Sequence, residues 1–268
     1  MIKVTGFANV NGNRTGNAYH MRFLTHGNKS DKSVMLIHGM ANTADLFDPL
    51  LEYAGDHHVI VCELDGHCKH DDTVFKTIRS ECAKIERYVR DELDGWLSGL
   101  LGYSLGGAIA TELISRGRIK VDRTILDAAY VIKMGIMTCP YTFLFQSAFW
   151  CMKKNISVPA FAVECVMGKG NSGITDTLYK GVSLRTIRNV CMSIYRYEIK
   201  EDLGRYTAPV AFWYGENEYY PKKSAELLKK YLPQMEVTVF KGMGHGQMLH
   251  EHPERYAESM IAFMELNG

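Results

Sequence analysis

The chain has 268 residues, 46% of them hydrophobic and 23% charged. That size is near the upper limit of one hydrophobic core, and the composition excludes intrinsic disorder, collagen-like repetition and a coiled coil. Lys and Arg total 31 against 30 Asp and Glu, a net charge of +1, so the chain carries no polycationic footprint for nucleic acid.

The opening residues Met1 to Gly6 lack the apolar run of a signal peptide. Short β-branched apolar runs then alternate with longer helical patterns, the signature of a parallel sheet with helices on both faces. Tyr19–Leu24 and Ser33–Ile37 read as early strands, and Val59–Leu64 as the next. A charged helix follows over Thr73–Glu92, with Ile78, Cys82, Ile85 and Val89 on one face. Trp96–Gly102 reads as a central strand, Leu105–Arg116 as a helix and Arg123–Asp127 as a further strand. The rhythm resumes with the strand Val210–Tyr214, the helix Pro221–Tyr231, the strand Val237–Phe240 and the helix His252–Leu266.

Between residues 130 and 206 the alternation stops. The stretch is rich in Met, Cys and aromatic residues and has no convincing strand, so it reads as a helical cap set over the carboxyl edge of the sheet. The core is then 1–129 with 207–268. Within the cap, Gly135–Met152 holds Pro140, Gln146 and Ser147 and reads as a helix pair or buried segment rather than a membrane span, so no stable membrane insertion is expected. Phe143, Phe145, Phe149, Trp150 and Phe161 read mainly as the cap's own small core, with a few lining an apolar pocket. Residues 131–200 hold nine Lys/Arg against three acids, an excess of six that leaves −5 for the rest. This surplus reads as a solvated face or as an attractor of anionic substrates or of an acidic partner surface.

Seven cysteines stand at 62, 68, 82, 139, 151, 165 and 191 with no C-x-x-C pair. An odd count in a chain of this length points to reduced thiols and a cytoplasmic protein.

Chemistry concentrates at Gly102-Tyr103-Ser104-Leu105-Gly106-Gly107, between an apolar run and a helical pattern. This is the context of a G-x-S-x-G elbow, where glycines let a tight turn lift a serine hydroxyl above the sheet. A serine hydroxyl needs a base to take its proton and donors for the developing oxyanion. His245, in Gly242-Met243-Gly244-His245-Gly246, is the candidate base, since a Gly-rich loop can swing it over the sheet edge. His250 and His252 lie at the next helix start and read as solvated. His38-Gly39-Met40 follows the run Val34–Ile37. There the backbone N–H of Met40 would join that of Leu105 as an oxyanion hole, with the His38 ring satisfying loop backbone.

Ser104, then an acid, then His245, with His38-Gly39 before them and Asp65-Gly66-His67 as a further loop, resembles the α/β-hydrolase family over nearly the whole chain. The resemblance implies a mostly parallel eight-stranded sheet with helices on both faces and a helical cap after strand six. It also implies acyl-enzyme hydrolysis without a cofactor or metal. The family's acid is usually an aspartate after strand seven. Here the segment reads Tyr214-Gly215-Glu216-Asn217-Glu218, with Glu218 at that place. Glu218 is the expected acid, Asp127 the alternative and Glu216 the outsider.

Two patterns are set aside. Gly168-Lys169-Gly170-Asn171-Ser172-Gly173 matches G-x-G-x-x-G but does not follow a first strand, and reads as a flexible cap loop. His67-Cys68-Lys69-His70-Asp71-Asp72 fits no tetrahedral metal set and reads as a solvated loop.

The reading is a serine hydrolase, a carboxylesterase acting on small to medium small-molecule esters. A bulky Met40 resembles family members that prefer shorter or medium acyl chains. A lyase or C–C bond hydrolase on the same fold is one alternative, and a ligand-binding protein with a vestigial site is another. The oligomeric state is left open.

Overall fold

Val34 and Leu36 pack on one face of the sheet and Met35 and Ile37 on the other. The run Ser33–Ile37 is therefore buried throughout and needs helices on both sides. The computed structural model describes residues 8–9, 21–29, 31–70 and 72–265. Its strands are β1 (Ala8–Asn9), β2 (Arg22–His26), β3 (Ser33–Ile37), β4 (His58–Glu63), β5 (Gly99–Tyr103), β6 (Thr124–Asp127), β7 (Val210–Gly215) and β8 (Glu236–Phe240). They form one eight-stranded sheet in the order β1-β2-β4-β3-β5-β6-β7-β8. β2 runs antiparallel to β1 and β4, and the other pairings are parallel.

The helices are α1 (Asp48–Leu51), α2 (Ile78–Glu92), α3 (Leu105–Arg116), α4 (Thr138–Lys153), α5 (Ala160–Met167), α6 (Leu184–Tyr195), α7 (Tyr219–Leu228), α8 (Gln247–Glu251) and α9 (Pro253–Glu265). Ile78, Cys82, Ile85 and Val89 of α2 join Ile109 and Leu113 of α3 in the core on one face. Tyr256, Met260 and Phe263 of α9 join Leu50 of α1 on the other.

Register decides where a site can form. Ile37 stands opposite Gly102, Tyr103 opposite Asp127, Asp127 opposite Trp213, and Gly215 opposite Phe240. The carboxyl ends of β3, β5, β6, β7 and β8 therefore end level, and the loops after them share one edge.

Several elements depart from the sequence expectation. The run Trp96–Gly102 is two pieces: Trp96–Leu97 pairs with Lys120–Val121 in a separate ladder, and β5 begins at Gly99. Ser98 makes the break, with its N–H and hydroxyl both donating to the Ser33 carbonyl, at 3.0 and 2.8 Å. Helix α2 begins at Ile78, not Thr73, because Thr77 and Ser80 cap each other reciprocally. The first strand is displaced to Arg22–His26, and Tyr19 lies outside the described residues, as do Met1 to Gly6. The expected last helix is α9, Pro253–Glu265, with Leu266 outside the described residues, and a separate short helix, α8, precedes it.

Between β6 and β7 the described residues hold α4, α5 and α6 and no strand, and α4 packs along α6. Gly135–Met152 is neither a helix pair nor a buried segment. It is a short 3-10 turn and one helix, with Ile136, Phe143 and Leu144 facing solvent. Pro140 is tolerated because it falls in the helix's first turn. Of the aromatic cluster only Phe149 is buried; Phe143, Trp150 and Phe161 are exposed, and Phe145 is half-buried. No helix among the described residues is long and apolar enough to cross a membrane.

Candidate active site

β5 ends at Tyr103 and α3 starts at Leu105, so Ser104 must reverse the chain alone. It does so at φ 54 and ψ −110, a region that strains a side-chain-bearing residue by about 1–3 kcal/mol. The turn closes because its neighbours lack side chains. A Cβ on Gly102 would overlap the Gly106 carbonyl, and one on Gly106 would overlap the Ile37 carbonyl. We expect Gly106→Ala to lower stability by about 3 kcal/mol or more, since the obstacle is backbone that cannot swing away. Chemical unfolding checks this, and a loss below about 1 kcal/mol would mean that β3 and the elbow are not held this close.

Opposite the elbow, His245 Nε2 lies 2.9 Å from Ser104 Oγ, and Nδ1 lies 2.6 Å from Glu218 Oε1. A carboxylate only accepts, so Nδ1 carries the proton and Nε2 is left to accept from the serine hydroxyl. Glu218 follows β7 in a turn closed by its own N–H on the Gly215 carbonyl, and its other oxygen accepts from the Gly215 N–H at 2.5 Å. Burial opposes a charge on His245. The charge and hydrogen bond of Glu218, helped by Asp127, outweigh that and hold the ring above the ordinary histidine value.

The loop of His245 is fixed from two sides. The Tyr103 ring lies 5.3 Å from the imidazole, tilted by 32°, and Gly246, at φ 69, leaves room for the Tyr103 hydroxyl. From the other side, the His245 N–H donates to the Met167 carbonyl at 2.7 Å, and the Asn171 amide donates to the His245 carbonyl at 2.8 Å. Through Asn171, the run Gly168–Gly173 is thus tied to the His245 loop. Sequence reasoning missed Asn171 and Met167. A side chain that meets a carbonyl 74 positions away leaves no local pattern.

Met40 sits in a turn closed by the Asn42 N–H on the Gly39 carbonyl, at 3.3 Å, and lines the same cavity as Ser104. Leu105 is the first residue of α3, so its N–H has no partner within the helix. Both main-chain segments therefore border the serine.

Asp127 does not reach His245 directly. Its carboxylate accepts from Tyr256 Oη at 2.8 Å, and burial pushes it up to about 7. Glu216 accepts from the Gly242 N–H at 2.8 Å. His38 bridges loop backbone, with Nδ1 on the Gly39 carbonyl at 2.8 Å and Nε2 accepting from Leu64 N–H at 3.1 Å. His250 is not solvated. It sits in α8 with Nε2 buried, and burial followed by the charge of His245 lowers it. His67 is also not solvated: it is fully buried, with Nδ1 on the Asp65 carbonyl at 3.0 Å. Asp71 of that stretch lies outside the described residues, and no group among the described residues could hold a metal ion.

The cavity at Ser104 is about 80 Å³ and is walled by Tyr130, Tyr141, Tyr195 and Tyr220. Tyr141 and Tyr220 share a hydrogen bond at 3.0 Å.

A strained serine at a strand-to-helix turn, on a parallel sheet whose later loops bring in a histidine and an acid, defines a class of hydrolase fold. Residues 34–259 match the sequence profile of the alpha/beta hydrolase family, and the chain belongs to that family. Among solved structures, an alpha/beta hydrolase family protein from Desulfitobacterium hafniense is similar at 23% identity and TM-score 0.82, over 91% of this chain and 100% of that one. A structure from a study of Nitrososphaera gargenis carboxylesterases is similar at 17% identity and TM-score 0.73, over 94% and 97%. The enol-lactonase from Burkholderia xenovorans LB400 is similar at 12% identity and TM-score 0.74, over 91% and 96%. At these identities the likeness is one of fold. No curated protein matches the sequence.

Proposed function

We propose that the chain is a serine hydrolase cleaving carboxylic esters of small to medium size through an acyl-enzyme on Ser104. The observation that carries this is the hydrogen-bonded line from Ser104 Oγ through His245 to Glu218. In the first half-reaction Ser104 Oγ attacks the ester carbonyl and its proton passes to His245 Nε2. The amides of Met40 and Leu105 hold the oxyanion, Glu218 steadies the imidazolium, and His245 returns the proton to the departing alcohol. In the second, His245 takes a proton from water as the water oxygen attacks the acyl carbonyl, then gives that proton to Ser104 Oγ as the acyl bond breaks, freeing the acid and the serine.

On this reading residues 130–206 form a helical cap over the sheet edge, and 1–129 with 207–268 form the core. Asn171 ties that cap to the base. A reducing, cytoplasmic setting accords with the free thiols of Cys62, Cys68, Cys82, Cys139, Cys151 and Cys191. The substrate is a small molecule.

An active-site fluorophosphonate is expected to label the wild type and spare Ser104→Ala, and chromogenic esters are expected to turn over only in the wild type. A wild type that resists the label and hydrolyses no ester would overturn the reading in favour of proton-transfer chemistry or ligand binding.

A further inference from the structure

Beside the serine cavity lies a second one of about 290 Å³, between α4, α5 and α6, and it is more than three times larger. Its walls include Leu144, Phe149, Val158, Val163, Leu178 and Ile187, and no charged side chain lines it among the described residues. Three residues, Met40, Phe145 and Met167, face both cavities.

We propose that this second cavity is the binding site for an unbranched hydrocarbon chain of the substrate, reached from Ser104 by displacing the partition of Met40, Phe145 and Met167. This rests on the esterase reading for its chemistry but not for its binding.

Size, polarity and the mobility of the partition all favour a hydrocarbon chain. The serine cavity has room for the reacting carbonyl and a few atoms, whereas small-molecule sites span about 300–1,000 Å³. The larger cavity supplies that space and offers no charged side chain to a charged group, and the hydroxyl-bearing Ser147, Ser157 and Thr175 are a small part of a wall that is otherwise almost wholly apolar. An apolar void of this kind forfeits packing and stays poorly hydrated, so an apolar chain is the ligand it rewards. Two of the three partition residues are methionines, whose unbranched side chains adapt readily to a new neighbour.

The partition is also part of the reacting centre. The Met167 carbonyl receives the His245 N–H, and Met40 is the proposed oxyanion donor. A chain threaded between them passes directly from the scissile carbonyl into the apolar space. Leu144 and Pro159, which line this cavity, are also exposed. On this proposal the size of the larger cavity, rather than Met40, sets the longest chain accepted.

Two ester series test this: p-nitrophenyl esters from acetate to decanoate, and acetates of straight-chain alcohols from ethanol to decanol. In one of them kcat/KM is expected to rise about fourfold per methylene, the equivalent of about 0.8 kcal/mol, until the cavity is full. Which series rises tells whether the acyl or the alcohol chain occupies it. Ala148→Phe and Ala162→Phe fill the cavity from α4 and α5. Each is expected to lower the decanoyl or decyl rate at least about tenfold, less than the burial of two methylenes, while the acetate or ethyl rate, which reports folding, is unchanged. Flat series, or variants that lower short and long esters equally, would overturn the proposal.

A second arm uses no turnover. A fluorescent undecanoic acid is expected to bind saturably to Ser104→Ala and to lose that binding when Ala148→Phe is added. Unchanged binding in the double variant, or none in Ser104→Ala, would place the chain elsewhere. If the wild type hydrolyses no ester, the esterase reading fails on its own and this arm alone decides the cavity.

Discussion

Glu218→Gln is expected to lower kcat for ester hydrolysis by about 10³–10⁴-fold, as when the acid of a serine hydrolase becomes an amide. The geometry explains why a nearly isosteric change is so costly. The carboxylate accepts on both oxygens, from Gly215 N–H and from His245 Nδ1. An amide has one acceptor, and the fixed Gly215 N–H claims it. The NH₂ group then faces Nδ1, which must lose its proton to accept, so the proton moves to Nε2. In that tautomer the ring cannot take the proton of Ser104. Asp127→Asn is expected to cost less than about tenfold, 1.4 kcal/mol, because the new amide oxygen still accepts from Tyr256 and only a distant charge is lost. The pH profile supplies a second readout. His245 must be neutral to act as base, and Glu218 helps hold it above the ordinary histidine value. The wild-type acid limb of kcat/KM is thus expected above the ordinary histidine value, and the residual activity of Glu218→Gln is expected to persist to lower pH. If Asp127→Asn were the more damaging variant, the role of acid would pass to Asp127.

What could be read from the sequence is what short stretches of backbone encode. Gly102 and Gly106 around Ser104 announce an elbow because only hydrogen fits against the Ile37 and Gly106 carbonyls. The alternating strands and helices announce a parallel sheet, and such a sheet brings the loops holding Ser104, Glu218 and His245 to one edge. Contacts that join distant segments leave no such trace. The tie from Asn171 to His245 and the Tyr256 hydroxyl on Asp127 are of this kind. Polar residues whose neighbours come from elsewhere were misjudged for the same reason: His67 stands among charged and polar residues in sequence yet is fully buried in space. Phe143, Trp150 and Phe161 failed in the opposite sense, because the aromatic character of α4 and α5 says nothing of which face meets α6.

His67 makes the fold sensitive to acid. Its ring is fully buried, and burial lowers it to about 4, while in the unfolded chain it titrates as an ordinary histidine near 6.5. Between those values the unfolded chain binds a proton that the native state refuses, so stability falls as pH drops from about 6.5 to 4, by about 3 kcal/mol. His38, lowered to about 3 by burial, acts in the same direction over a similar window. Asp127 and Glu81 act against both, because burial raises each carboxyl and the native state holds a proton that the unfolded chain has released over much of the same range. The wild-type profile therefore sums opposing contributions, and the histidine's share appears only as a difference. His67→Phe keeps a flat ring in the same space and removes a buried Nε2 that has no partner. Relative to this variant, the wild type is expected to lose about 3 kcal/mol between pH 7.5 and 4 in urea unfolding. Parallel profiles for the two proteins would mean that His67 is protonated in the folded state, with a partner for Nε2 inside the core.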